Sequence, residues 1–430
     1  MRRSAVAAAC FVFLSVSYRA PADHLCAAGP EWFSGVPALP GYEPRSDCEF
    51  QRFAWQTFLA LMATDRNRPT ARYFTWELPS PALTTLYCGT VCGIPYRAPK
   101  NPCGGPPEQE VVNATTQPGL VPAGTSGELV DQAGNPVYFT AHVNPAWLEF
   151  VAKSGYQDPA VLGAADPKTS FPSATYEIKT SWRLTDRMSR AEKSQYLTTT
   201  ACVVPERASD PLAPHTVKEV ALVGFHITAG VANHPELVWA TFEHARNAPD
   251  CARTPEPGPW AFHDGRTDCG DPRTPCNRPN LEPAREPINV CRTYPFGGAT
   301  DGVARQIASL NRDVRTRLPR GSVLRNYELV GTLWGAYPAD GPTLNLQEPG
   351  GSPLLSNTSL ETFKQGISCF GCHSAQFPAE LARFAAPGDP VVYRSKALFT
   401  SHIVLFPFFY AARGCAATCP ATAASHRASW

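Results

Sequence analysis

The amino-acid sequence predicts an α+β fold: an antiparallel, β-rich body with helices at the N-terminus and a helical segment at the C-terminus. Three observations support this prediction. Apolar residues recur at helical spacing over residues 46–64, side chains alternate over residues 175–184, and residues 220–227 are almost continuously apolar. The first pattern is typical of a helix that packs on a core, and the other two are typical of strands.

Capping residues mark the start of two predicted helices. Ser46 and Glu49 form a capping box, in which each side chain can bind the other residue's backbone N–H. Thr358 and Glu361 form a second capping box, which predicts a short helix that leads into Cys369. Further helices are predicted over residues 300–317 and 397–411.

Five segments have the composition of strands, and two of them form a predicted hairpin. Residues 220–227 and 237–245 are joined by a loop that contains Gly230, Asn233 and Pro235, which suits an antiparallel turn. The apolar character of residues 220–227 predicts a strand buried on both faces. The other predicted strands span residues 137–143, 175–184 and 329–337.

Residues 369–373 read Cys-Phe-Gly-Cys-His, which is the attachment signature of c-type haem. In such a site the two thiols form thioethers with the haem vinyl groups, and the histidine binds the iron as its proximal ligand. Cys369 and Cys372 are therefore the predicted covalent attachment points of one haem c, and His373 is the predicted iron ligand. The alternative is a disulfide or thiol-redox pair followed by an incidental histidine.

The N-terminus has the pattern of a secretory signal peptide, with a basic start, an apolar stretch over residues 5–16 and a small-x-small site at residues 20–22. Residues 1–22 are the predicted signal, residues 23–345 the α+β body, and residues 346–430 a cytochrome c-like haem-binding segment packed against the body. No later stretch contains 18 consecutive apolar residues, so no membrane span is predicted.

Cysteine usage predicts an oxidising compartment. Cys10 lies in the predicted signal, Cys369 and Cys372 belong to the haem motif, and an even number of cysteines remains. Four of them lie in or beside a long Pro-rich loop over residues 249–287, and disulfides between them would hold this loop in place. A second Pro-rich loop is predicted over residues 95–136. The pairing is open from sequence, although Cys415 and Cys419 are a plausible local pair. A signal peptide and covalent haem together predict a bacterial periplasmic or secreted protein.

The net charge and the absence of several sequence motifs argue against some classes of partner and of enzyme. The formal net charge is +1 and no basic block is present, so nucleic acid and anionic membranes are not expected partners. The sequence contains no phosphate-binding loop, no dinucleotide fingerprint after a strand and no His-Glu-x-x-His zinc helix.

Methionine is not the expected sixth iron ligand, because no methionine follows His373 in the sequence. Met62 lies on the apolar face of a predicted helix, where core packing is the better interpretation. Met188 lies in a polar segment and is a weaker candidate still.

Three histidines are candidates for the distal side of the haem or for a catalytic role. His226 lies in a predicted buried strand, where a hydrogen-bonded core histidine is the alternative. His244 ends the partner strand and faces the same side only if the hairpin pairs even-numbered with even-numbered positions; an odd register separates the two. His402 lies in the last predicted helix, as a distal ligand or as a packing residue.

Two further groups of residues are candidates for contacts with the haem. Lys179 and Arg183 suit the haem propionates, because cationic donors bind carboxylates; a solvated strand face is the alternative. Trp55, Trp182 and Trp239 could flank a pocket or relay electrons, and core packing is the alternative.

Five stretches of the chain match a known sequence pattern: residues 53–61, 176–183, 223–227, 239–244 and 357–373. Through them the chain resembles a family of uncharacterised bacterial cytochrome c proteins that carry one haem motif near the C-terminus. The resemblance implies one covalent haem c, and the stretches outside the haem motif identify the family without indicating a reaction. The extra cysteines and long Pro-rich loops depart from the expected pattern.

Two functions are expected from these features. The first is a periplasmic c-type cytochrome that transfers electrons. The second is a haem-dependent oxidoreductase, peroxidase- or oxygenase-like, with an open distal site, because the chain is far longer than the roughly 100 residues that wrap one haem. The expected partners are haem and either a redox protein or a small-molecule substrate.

Overall fold

A computed structural model describes most of the predicted body and the start of the haem-binding segment. The described chain has the predicted α+β fold, with an antiparallel β-sheet body and several helices. The predicted signal peptide, the predicted helix over residues 397–411 and His402 lie outside the described residues. The described residues are 26–64, 71–76, 90–91, 94–95, 103, 110–113, 128–156, 161, 165–166, 169–204, 216–253, 258–279, 286–336 and 345–373.

Within the described ranges, eight strands form the main sheet, and two short ones form a separate ribbon. Each of the five predicted strands is present, and the predicted hairpin is β7–β8. The strands are β1 (Thr90–Val91), β2 (Ile94–Pro95), β3 (Glu110–Asn113), β4 (Tyr138–Val143), β5 (Tyr176–Leu184), β6 (Thr198–Val204), β7 (Thr216–Val231), β8 (His234–His244), β9 (Tyr327–Ala336) and β10 (Asn345–Gly351).

The long strand β7 organises the sheet, whose order is β10-β9-β8-β7-β5-β4-β3-β6. Because β6 pairs with both β3 and the first part of β7, the strands β7, β5, β4, β3 and β6 form a closed ring. The β3–β6 pairing is parallel and the other pairings are antiparallel. The β7–β8 turn places Asn233 at φ 61°, a left-handed conformation that asparagine tolerates.

Side-chain hydrogen bonds cap the start of three of the described α-helices. Ser46 Oγ accepts the backbone N–H of Glu49, as predicted, but the Glu49 carboxylate accepts the N–H of Arg45 instead of that of Ser46. The predicted helix over residues 300–317 is present. The helices are α1 (Asp47–Met62), α2 (Pro145–Ser154), α3 (Arg190–Lys193), α4 (Asp301–Arg317) and α5 (Cys369–His373), and short 3₁₀ turns span Pro30–Phe33, Arg72–Thr75, Pro295–Gly298 and Val323–Asn326.

One face of the sheet and the helices α1 and α4 enclose the larger hydrophobic core. Phe58 of α1 stacks on Phe242 of β8, with ring centroids 4.2 Å apart. The Trp55 indole N–H donates to Asn311 Oδ1 of α4 at 2.8 Å. This hydrogen bond compensates the buried indole N–H for the loss of hydration. Met62 and Trp182 lie in the same core, so core packing is the correct interpretation for Met62, Trp55 and Trp182.

The opposite face of the sheet is covered by loops, which corrects the expectation of a solvated strand face. Glu177, Ser181 and Arg183 on β5 are all buried. Ser181 Oγ lies 2.6 Å from Ser359 Oγ, in the segment that precedes the haem motif. The polar side chains therefore alternate as predicted, but they face protein instead of water.

The segment that leads into the haem motif differs from its prediction. Residues 358–367 form successive turns and not the predicted short helix. The local hydrogen bonds are made by Asn357 and not by Thr358. The Glu361 carboxylate accepts the N–H of Asn357, and Asn357 Oδ1 accepts the N–H of Ser359. The Thr358 hydroxyl donates instead to the buried Glu243 carboxylate of β8, so tertiary contacts override the local helix signal.

Four disulfides link the described residues, as the cysteine usage predicts. Two of them, Cys251–Cys291 and Cys269–Cys276, staple the long loop over residues 249–287, as predicted. The predicted loop over residues 95–136 also contains β3, which was not predicted because β3 is short and pairs with distant strands. Cys88, Cys92, Cys415 and Cys419 lie outside the described residues. The remaining pairs are Cys26–Cys48 and Cys103–Cys202.

Candidate functional site

A cleft lies between the loop-covered face of the sheet and the segment that contains the Cys-x-x-Cys-His motif. The empty space in and in front of this cleft, open solvent included, is about 610 Å³. The sheet wall consists of Glu177, Ile178, Lys179, His226, Thr228 and Trp239. The other wall consists of Leu355, Glu361, Lys364, Ile367, Ser368, Cys369 and His373.

The motif itself forms the single helical turn α5, which places two of its functional groups on one side. Cys369 and His373 are four residues apart, and residues at this spacing share a face of a helix. Both side chains line the cleft. The backbone of Cys372 belongs to the same turn.

Trp239 and Phe370 fix the position of this turn against the sheet. The His373 ring lies 4.6 Å from the Trp239 ring, and Phe370, which is buried, packs edge-on against the same indole. Cys369 Sγ lies 3.7 Å from the Leu355 carbonyl oxygen. Of the three tryptophans considered from sequence, Trp239 is thus the one that flanks the cleft.

His226 lies in the cleft and is held by a carboxylate. Its Nε2 lies 2.9 Å from Oε2 of Glu361. Burial by itself raises the pKa of Glu361, but the adjacent His226, Lys179 and the N–H of Asn357 outweigh it and hold the pKa below its ordinary value. Glu361 is therefore an ionised acceptor. Its role at the site was not predicted, because its only signal in the sequence was the spacing of a capping box.

Lys179 also lines the cleft, next to His226 in the β5–β7 register. Lys364 lines the opposite wall. Two lysine side chains therefore line the cleft on opposite sides of the Cys-x-x-Cys-His motif. Glu177, a third member of the sheet wall, accepts the indole N–H of Trp147 at 2.6 Å.

Arg183 does not reach the cleft. Its Nε donates to the buried carboxylate of Asp131 at 2.9 Å, and Nη1 lies near Glu192 and Tyr196. Burial lowers the pKa of the Arg183 guanidinium, but the carboxylates around it outweigh this effect and raise the pKa above its ordinary value. Its suggested role as a propionate partner is wrong, because Asp131 already neutralises it.

His244 is separated from His226 by the hairpin register. Gly224 pairs with Glu243, so even-numbered positions of β7 oppose odd-numbered positions of β8. His226 pairs with Thr241, and the His244 ring stacks on Tyr196 at 3.9 Å, outside the cleft. His244 Nε2 lies 3.1 Å from the Gln195 carbonyl oxygen, and burial lowers the pKa of His244 to about 3. A paired-histidine site is thereby excluded, and His244 is a neutral packing residue.

A buried polar network anchors the segment before the motif. Arg292 Nη2 donates to Oε1 of Glu243 at 3.0 Å, and the other carboxylate oxygen of Glu243 accepts from Thr358. Gln365 binds the carbonyl of Cys291 and the N–H of Thr293. The stapled loop therefore supports the cleft wall directly.

The residues present fit a covalently attached haem. A thiol and an imidazole line the same cleft from one helical turn, and these are two of the three side-chain groups that c-type attachment uses. The aliphatic side chains of Ile178, Leu355 and Ile367 supply an apolar lining. Lys179 and Lys364, which also line the cleft, would supply cations for haem propionates. Within the described ranges, no three or more His, Cys, Asp or Glu side chains are grouped to hold a metal ion by themselves.

Comparison with known protein families, with curated proteins and with solved structures finds no match to this chain. Separately, no helix in the described part of the chain is long and apolar enough to cross a membrane. The disulfides accord with folding in an oxidising compartment.

Proposed function

We propose that this protein is a c-type cytochrome of the bacterial periplasm, with one covalently attached haem, and that it transfers electrons. The observation that carries the proposal is the arrangement of Cys369 and His373, which line one cleft from a single helical turn. The disulfides and the signal-like N-terminus support export to an oxidising compartment. The resemblance to bacterial monohaem cytochromes c remains part of this proposal.

Each residue around the cleft has a definite task in this proposal. Cys369 and Cys372 hold the cofactor, and His373, positioned by Trp239, presents its imidazole to the iron. Lys179 and Lys364 orient the propionates, and the apolar lining limits access of water. When bound, the haem supplies one-electron redox chemistry, whose potential depends on axial ligation, burial and hydrogen bonding.

The attachment is tested by producing the protein in a bacterial host that matures c-type cytochromes. The wild-type protein is expected to show a pyridine haemochrome spectrum of c-type and a mass increase of one haem after denaturation. The double variant Cys369→Ala/Cys372→Ala is expected to lose both, because no thioether can form. The matched control is Cys269→Ala/Cys276→Ala, which removes two cysteines of a short disulfide loop and should keep the haem. Covalent haem that persisted without Cys369 and Cys372 would refute the proposal.

The second candidate function is a haem-dependent oxidoreductase with an open distal site. The observation that favours it is the His226–Glu361 pair, which lies inside the cleft. Electron transfer alone does not require such a polar pair. The reduced protein separates the two functions when carbon monoxide is added. A shift of the visible bands would favour the oxidoreductase, and unchanged low-spin bands would favour the electron carrier.

A further inference from the structure

His226 is the histidine that the fold places in the cleft with the haem motif. It projects from β7, the central strand of the sheet, and its side chain is 12% exposed. Among the described residues its ring makes one hydrogen bond, from Nε2 to Glu361 Oε2 at 2.9 Å. One ring edge is thus held by the protein, and the other edge is left for a molecule in the cleft.

The hydrogen bond to Glu361 determines which ring nitrogen carries the proton. An ionised carboxylate has lone pairs but no hydrogen to donate, so Nε2 of His226 must be the donor. In the neutral imidazole the lone pair then lies on Nδ1. A histidine oriented in this way by a carboxylate is arranged to accept a proton at its second nitrogen.

Other charged and titratable groups around the cleft are less suited to accept a proton. Lys179 on β5 and Lys364 on the opposite wall are the side chains proposed to orient the haem propionates. Glu177 is buried and accepts the indole N–H of Trp147. Glu361 is committed to His226 and to the N–H of Asn357, and His373 is the proposed iron ligand.

We propose that His226, oriented by Glu361, is a proton-accepting residue for a small protic ligand, such as a hydroperoxide, that enters the cleft beside the haem. The ligand's proton passes to Nδ1 of His226, and the anion that remains is the form that ferric haem binds. No electron moves in this step. The inference rests on the haem attachment proposed above and on the second candidate function, a haem-dependent oxidoreductase with an open distal site. It implies that His226 does not bind the iron through Nε2.

Cyanide is the probe for the proton transfer, because it arrives as a weak acid and binds as an anion. Carbon monoxide is the matched ligand, because it carries no proton. In His226→Gln, the rate of cyanide binding to the ferric protein is expected to fall by about 100-fold or more, which is the usual contribution of a positioned acid–base group. Carbon monoxide binding to the ferrous protein should be little changed.

Two further variants test whether the effect belongs to this pair. Glu361→Gln should slow cyanide binding by about 10- to 100-fold, the usual cost of losing an orienting partner. His234→Gln is the matched control: His234 forms another His–Glu contact in the same hairpin, 3.0 Å from Glu236, and its side chain is 11% exposed. His234 does not line the cleft, so cyanide binding should be unchanged.

The possible failures can be told apart. Absence of covalent haem, seen by the haemochrome assay before any ligand is added, would overturn the proposed function and this inference together. Covalent haem with low-spin bands that resist both ligands would overturn the inference alone. So would a gain of carbon monoxide binding in His226→Gln, because it would identify His226 as an iron ligand. Equal cyanide rates in wild-type, His226→Gln and His234→Gln would also contradict it.

Discussion

Two histidines of one hairpin have opposite environments, and the difference arises from hydrogen-bond partners and water. His226 faces a carboxylate in a cleft, whereas His244 is buried between Tyr196 and Tyr327 with a backbone carbonyl as its partner. A buried imidazole without a counter-charge is costly to protonate, because the cation loses its hydration. His226 therefore lines the cleft beside an anionic partner, whereas His244 is a packing residue.

The buried His244 should make the stability of the protein depend on pH. Its pKa is about 3 in the folded protein, compared with 6.5 for an unperturbed histidine, because burial disfavours the cation. Below pH 6.5 the unfolded chain therefore binds more protons than the folded one. The stabilisation is complete above pH 6.5 and falls by about 1.4 kcal/mol per pH unit as the pH decreases towards 3.

Urea unfolding of the wild-type and His244→Gln proteins measures this effect. The pH should range from about 4 to about 8, because an unperturbed histidine titrates within these limits. The glutamine does not titrate, so the difference in unfolding free energy between the two proteins should shrink as the pH falls. A difference that stayed constant with pH would contradict the assignment of a neutral, buried His244.

At the scale of elements, the contact between β7 and the segment before the haem motif depends on the absence of a side chain. Gly224 lies opposite Ser181 and Ser359, and a Cβ at this position would overlap both hydroxyl groups and approach Asn357 Oδ1. Asn357 in turn donates to Thr241 Oγ1 and to the carbonyl of Phe242, both at 2.9 Å. The glycine thus allows the segment to approach the sheet closely enough for these bonds to form.

Gly224→Ala is expected to destabilise the protein by about 1–3 kcal/mol, because overpacking moves the neighbouring backbone. Thermal unfolding and limited proteolysis of the segment before the motif would measure the loss. Gly302→Ala is the matched control, since Gly302 lies in α4 and a methyl group there would have no atom within 4 Å apart from its chain neighbours and its own helix backbone. There alanine should leave stability unchanged or raise it slightly, because alanine favours a helix. Equal effects of the two substitutions would argue against close packing at Gly224.

For the whole molecule, disulfides join parts of the chain that lie far apart in sequence. Cys103–Cys202 spans 99 residues and attaches a Pro-rich loop to β6, whereas Cys269–Cys276 spans only 7. Cross-linking a longer loop removes more conformational freedom from the unfolded chain. The two bonds therefore differ in their expected contribution to stability.

Loss of the long-range disulfide in Cys103→Ala/Cys202→Ala should lower the unfolding free energy by about 5 kcal/mol in the chain-entropy description, compared with about 2 kcal/mol for Cys269→Ala/Cys276→Ala. Denaturant unfolding of both variants beside the wild-type protein measures the two losses. A larger loss from the short loop would show that strain or local packing dominates instead of chain entropy.

Much of the architecture was predictable because it follows from local periodicity. The helices α1 and α4, the strands β4, β5 and β9 and the β7–β8 hairpin all have clear sequence patterns, and the cysteine usage correctly predicted disulfides. Several elements were not predicted, and residues 358–367 were wrongly predicted as a helix. For β3 and for residues 358–367 the cause is the same, since non-local partners determine these two conformations. The elements that were missed are β1, β2, β3, β6, β10, α2 and α3.

The sequence by itself determined the candidate chemistry: Cys369, Cys372 and His373 form a haem-attachment motif whose spacing matches one helical turn. Only the tertiary structure decided which other residues share the cleft. The fold places His226, Lys179 and Trp239 in the cleft with the motif. Glu361 and Lys364 lie there as well, although the sequence analysis did not name them as site residues. His244 and Arg183 lie outside the cleft. The physical reason is that a shift of register by one residue turns every side chain of a strand to the opposite face, and local sequence does not specify that register.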